Sequence, residues 1–150
     1  MAQEILQKHI STILEHMLVK PSVSIDLEDD TYKIILDGED LSFLIGRHGS
    51  SLQALQTLLA HMVFNELNEW KHIVVDINGY RDSRKDHLEN MVRSFIDRVR
   101  FHKREVMMPS MNSYERRQVH MFVDDYPDIM SESTGEGQAR RVVLKLNEGH

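Results

Sequence analysis

The sequence predicts an α+β fold in two small modules, and three observations carry that reading. Segments alternating apolar and polar residues alternate with apolar stripes at helical spacing. Gly79 follows the third alternating segment and separates a first run of elements from a second, which places the modules at residues 1–79 and 80–150. Charge is partitioned in the same way. Residues 1–80 hold 5 Lys/Arg against 12 Asp/Glu, whereas residues 81–150 hold 13 against 12, and the stretch 81–117 holds 10 against 6. Positive charge therefore gathers where the second module begins.

Composition narrows the classes. The chain has 150 residues, 41% apolar and 28% charged, enough to bury a core, with no apolar run long enough to span a membrane. Met1-Ala2-Gln3-Glu4 lacks the basic and apolar regions of a signal peptide, so a cytoplasmic protein is expected. There is no cysteine, which excludes disulfides, a thiolate nucleophile and a cysteine zinc site.

In order, Ile5, Leu6, Ile10, Ile13, Leu14, Met17 and Leu18 recur at helical spacing until Pro21, predicting a helix over about residues 3–19. Val23, Ile25 and Leu27, then Tyr32, Ile34 and Leu36, alternate with polar residues on either side of Asp29-Asp30, predicting a hairpin. Asp40 is placed to cap a short helix, Leu41 to Ile45. Leu52, Leu55, Leu59 and Met62 form a core stripe reaching Leu67, and Ile73, Val75 and Ile77 form a third strand.

Between the two helices stands Gly46-Arg47-His48-Gly49. Glycine admits positive φ and close backbone approach, and the second glycine opens a helix whose first amides lack internal partners and sit at the positive end of its dipole. Such a turn suits a phosphate, with Arg47 and His48 adding charge and hydrogen bonds. The order helix, strand, strand, short helix, GxxG, long helix, strand resembles the type II KH domain over residues 1–79. That resemblance implies a three-stranded sheet with helices on one face and a groove for about four unpaired nucleotides clamped by the GxxG turn. It makes Gly46, Arg47, His48 and Gly49 the phosphate-facing turn, with Ile45, Leu52 and the Ile73 to Ile77 strand as groove walls.

In the second module Leu88, Met91, Val92, Phe95, Ile96 and Val99 give a long helix its apolar face, with Arg93, Arg100 and Arg104 opposite. Val106 to Met108 reads as a strand stopped by Pro109. Asn112 with Glu115 reads as a capping box for a helix from Ser113 to about Val123. Ile129 to Ser133 and Arg140 to Leu146 read as strands joined by the Thr134-Gly135-Glu136-Gly137 turn. Arg116 and His120 share a helix face, a cation beside a ring that can stack on a base or donate to a phosphate. Arg98 and His102 have the same spacing, so spacing does not choose between the pairs.

Met108-Pro109-Ser110-Met111-Asn112-Ser113-Tyr114-Glu115-Arg116-Arg117-Gln118-Val119-His120, with Arg140-Arg141-Val142-Val143 beyond a glycine turn, resembles the Arg-x-x-x-His (R-3-H) domain, and hence two helices packed on a three-stranded sheet. A KH domain followed by this domain is similar to the bacterial Jag (SpoIIIJ-associated, KhpB/EloR-like) family. The resemblance implies binding of single-stranded nucleic acid, RNA above all and DNA as an option, and a link to RNA-based regulation of cell elongation and division. It makes Arg116 and His120 the signature pair and Arg117, Arg140 and Arg141 supporting cations. A KH-KH dimer with itself or with a small KH protein is also implied. The family commonly has a further N-terminal Jag domain, so this chain reads as a short form or a piece of a longer protein. Ser113, Gln138 and Ala139 depart from the family's usual residues.

Two other functions compete. No HxxxH or HExxH pair, Ser/His/Asp order or phosphate-loop lysine is present, so no enzyme, no metal and no cofactor is expected. The acidic first module keeps a protein-interaction role open, with a KH surface that binds a partner protein instead of nucleic acid.

Overall fold

The computed structural model describes residues 1–149; His150, the last residue of the second expected module, lies outside the described residues. The chain divides into two compact units, Met1–Arg81 and Asp82–His150.

The first unit runs α1 (Ala2–His16), β1 (Ser22–Glu28), β2 (Thr31–Asp37), α2 (Ser42–Ile45), α3 (Ser50–Leu67) and β3 (His72–Ile77). α1 buries Leu6, Ile10 and Leu14, four residues apart on one stripe. It ends before the expected residue 19 because Leu18 takes a left-handed conformation, φ 60°, and turns the chain. The hairpin forms as expected: Asp29 and Asp30 both have positive φ, 47° and 62°, the geometry of a two-residue turn that matches strand twist. β2 pairs antiparallel with β1 and parallel with β3, in the order β1-β2-β3. The alternation places Ile25, Ile34, Leu36, Ile73, Val75 and Ile77 on one face, and Leu52, Leu55, Leu59 and Val63 of α3 close over it with the α1 stripe. Each such side chain contributes roughly 1.5–3 kcal/mol on burial. Asp40 does not cap α2. It sits at φ 59°, Leu41 precedes the helix, and no side chain caps it.

The second unit holds most of α4 (Tyr80–His102), then β4 (Val106–Ser110), α5 (Ser113–Val123), β5 (Ile129–Thr134) and β6 (Arg141–Leu146). α4 buries Leu88, Val92, Ile96 and Val99 and stops at His102, with Lys103 at φ 58°, so Arg104 lies beyond the helix face assigned to it. Pro109 does not stop β4, which continues to Ser110. The sheet order is β4-β6-β5, so β4 is an edge strand, where proline's missing N–H is tolerated, and its pairing with β6 is irregular between Met107 and Ser110. Asn112 does cap α5, its side chain accepting from the Glu115 amide at 2.8 Å. A single 3-10 turn, Gly137–Ala139, joins β5 to β6, so β6 begins at Arg141 and not at Arg140. Met108, Val119, Val123, Ile129, Val142 and Leu144 complete the core under α4 and α5.

Candidate nucleic-acid interface

The glycine turn of the first unit is tight. Gly46 has φ 73°, and a Cβ there would lie 2.4 Å from Ser51 Oγ and 2.8 Å from Ser51 N, so only glycine fits. Gly49, φ 78°, is buried, and a Cβ there would lie 3.0 Å from the Tyr80 ring. The amides are less open than the sequence suggests. Gly46 N donates to Ser42 O at 3.1 Å, Gly49 N to Gly46 O at 3.4 Å, and the Ser50 amide to Arg47 O. What the turn presents outward is the exposed Arg47, with no side-chain partner among the described residues, and the half-buried His48 in left-handed geometry, φ 56°. The groove walls are corrected more sharply. Leu52, Ile73, Val75 and Ile77 are buried in the core, which leaves Ile45 and Val74 as the partly exposed apolar residues of the expected set.

In the second unit α5 carries the pair. Val119 and Val123 face the core beside Glu115, which is only 3% exposed. Burying a carboxylate is costly unless it is paired. Arg84 of α4 supplies the partner, Nε donating to Oε1 at 2.7 Å and Nη2 to Oε2 at 3.2 Å, and so fixes the rotation of α5 about its axis. One residue on, Arg116 is half-buried and donates from Nη1 to Met111 O. His120 lies one turn further along, its Nδ1 2.6 Å from Ser131 Oγ and its Nε2 3.0 Å from Ser133 Oγ. These serines sit two apart on β5, hence on one face, and hold the imidazole ring edge. They are missing from the sequence reading, and the only signal for them is a pair of serines at strand spacing on the face of the buried Ile129.

The other cations sort by their partners. Arg117 is exposed, with no partner among the described residues. Arg140 donates to Gly135 O at 2.8 Å, and its carbonyl accepts from Met111 N, so Met111 links it to Arg116. Arg141 is not with them. It pairs in register with Thr134, on the sheet face opposite Ser133 and Val142, and donates from Nε to Ala139 O. On that far face Lys145 is neutralised by Glu132 at 2.9 Å; the hydrogen bond first, then the charge, raise its pKa. Within the basic stretch Arg84, Arg93 and Arg100 are held by Glu115, Glu89 and Asp128, Arg81 by Val75 O and Gln56, and Arg98 lies over the Phe95 ring at 4.7 Å. A local charge excess therefore overstates the cations available to a ligand. Among the described residues no cluster of three or more His, Asp or Glu could hold a metal ion, and no helix is long and apolar enough to cross a membrane.

Comparison with known proteins follows this division. Residues 4–77 match the KhpA/KhpB KH domain and residues 86–146 match the R-3-H domain. Fold and matches define the class: a KH module followed by an R-3-H module. The chain belongs to this family of joined KH and R-3-H domains. Similar proteins include the RNA-binding protein KhpB of Clostridium symbiosum, 29% identical over 150 residues, covering 96% of this chain and 68% of the relative. KhpB of Bacillus subtilis is 30% identical over 138 residues, 91% of this chain and 66% of the relative. KhpB of Streptococcus pneumoniae is 25% identical over 91% of this chain, and the match spans 42% of that protein.

Proposed function

We propose that the chain binds single-stranded RNA through two contiguous modules. The Gly46 to Gly49 turn, with Arg47 and His48, meets the backbone in one, and Arg116, Arg117, His120 and Arg140 meet it in the other. The observation that carries the reading is the α5 surface, where Arg117 stands unpaired among the described residues beside an Arg116/His120 pair pinned in place by Met111 O, Ser131 and Ser133. Fixed cations suit a flexible polyanion, because less ordering is left to be done on binding, and the imidazole, both of whose nitrogens are taken by the serines, offers its ring face. The name of the relatives, RNA-binding protein, supports the choice of RNA. Domain limits of 1–79 and 80–150 go with this reading, and linkage of two modest sites raises avidity for one strand. RNA-based control of cell elongation is the wider role that such binding would serve.

The test is a titration of labelled single-stranded RNA at several salt concentrations. Arg47→Glu is the cleaner probe of the first site, since aspartate at Gly46 or Gly49 would disturb the turn itself. The expected result is weaker binding for Arg47→Glu and Arg116→Ala, with a shallower salt dependence for the latter. Binding unchanged in both overturns the proposal.

A second reading, pairing of KH modules with a second copy or a small KH protein, is favoured by one surface. α3 exposes Ala54, Thr57, Leu58 and His61, and Trp70, 58% exposed, stacks on Phe64 at 4.3 Å. The one charged residue of α3, Glu66, lies off this face, paired with His9 of α1. Sedimentation of wild type and Leu58→Asp tests it: a dimer lost in the variant is expected, and a wild-type monomer at all concentrations refutes it.

A further inference from the structure

At 100° per residue, the core-facing side of α5 holds Glu115, Val119 and Val123, and the opposite arc holds Arg117, Met121 and Tyr114. Tyr114 is 64% exposed and Met121 59%. Tyr114 and Arg117 are three apart and Arg117 and Met121 four apart, so the three form one strip beside the Arg116/His120 line. Among the described residues the Tyr114 ring has no aromatic, cation or hydrogen-bond contact. From Ser113 to Met121 the only acidic residue is Glu115, buried against Arg84, so this stretch shows guanidinium, imidazole and a phenol ring, and the exposed Asp124 and Asp125 lie one turn beyond its far end, away from Tyr114.

A solitary exposed aromatic is ordinary, and this chain provides a contrast. Phe101 on α4 is 83% exposed, but the His102 ring stands edge-on to it at 5.0 Å, and Asp97 lies one turn before it on the same helix face. Tyr114 instead has an open ring, a cation without a partner among the described residues one turn on, and a pinned imidazole beyond. Cations along a backbone with aromatic rings for the bases is the composition of single-strand sites.

We propose that Tyr114 is a base-stacking residue, its ring lying against one unpaired nucleobase while Arg117 and the Arg116/His120 line hold the adjoining phosphates. This rests on the RNA-binding reading above and adds a contact to the base, which the backbone grip lacks.

The experiment measures fluorescence anisotropy of fluorescein-labelled decauridylate and of an abasic ribose-phosphate strand of the same length, with the full chain. Tyr114→Ala is expected to weaken decauridylate binding by roughly 5- to 100-fold. It should leave the abasic strand and the salt slope unchanged. Tyr114→Phe should bind as wild type does, and so should Phe101→Ala. Equal affinity of Tyr114→Ala and wild type for decauridylate overturns the proposal and leaves RNA binding standing, as does an equal loss on both strands or a wild type that binds both equally. A wild type that binds neither strand overturns the proposal and the reading beneath it together.

Discussion

Removing the carboxylate of Glu115 probes what orients α5. The side chain is 3% exposed and receives two charge-assisted hydrogen bonds from Arg84, whose own side chain is 19% exposed. Two unit charges ~4 Å apart at an effective dielectric of ~20 attract by ~4 kcal/mol. Deleting one member of a buried pair costs about 3–5 kcal/mol, because the other charge stays desolvated. Glu115→Ala should therefore destabilise the second unit by about that much. At ~4–8 °C per kcal/mol for a unit of this size, its thermal midpoint falls by ~12 °C or more. Urea and thermal unfolding followed by circular dichroism measure it. The double variant Arg84→Met/Glu115→Leu should recover most of the loss, because apolar residues of similar volume satisfy the same space. The reasoning is refuted if Glu115→Ala lies within ~1 kcal/mol of wild type, or if the double variant is as unstable as the two single losses added.

Other outcomes follow from the same geometry. Gly46→Ala should cost ~2–6 kcal/mol in unfolding measurements, since the strain of φ 73° and the clash with the Ser51 backbone add; Gly79→Ala, at φ 69° with nothing within 4 Å, should cost only ~1–2 kcal/mol. Leu59→Ala, at full burial, should cost ~2–5 kcal/mol by the same assay. Arg116→Ala should lower the salt slope of RNA binding by ~1, measured as log affinity against log salt, with Arg98→Ala near wild type because that guanidinium already lies over Phe95.

The order of elements is legible in the sequence because each carries its own period, and the local turns are legible where residue type forces them, as at Asp29-Asp30 and Asn112. Long-range pairing is not. Glu115 reads as half of a capping box, while the group that neutralises it is Arg84, 31 residues away. Ser131 and Ser133 gain meaning only once β5 is laid beside α5. Arg141 shows what alternation takes away: successive strand residues point to opposite faces, so two adjacent arginines both expected as supporting cations are separated, and the pairing of Arg141 with Thr134 sets it on the face away from Ser133 and Val142. The glycine spacing announces a tight turn, but which amides the turn uses for itself depends on the carbonyls of Ser42, Gly46 and Arg47, which no side-chain pattern reveals.

The most direct test of strand binding at these two surfaces is a residue-resolved amide chemical-shift titration of the full chain with a short single-stranded RNA. The expected shifts cluster at residues 46–49 in the first unit and along 114–121 with 131 and 133 in the second. Shifts confined to the exposed α3 face around Leu58, His61 and Trp70, or none at saturating RNA, would contradict the assignment.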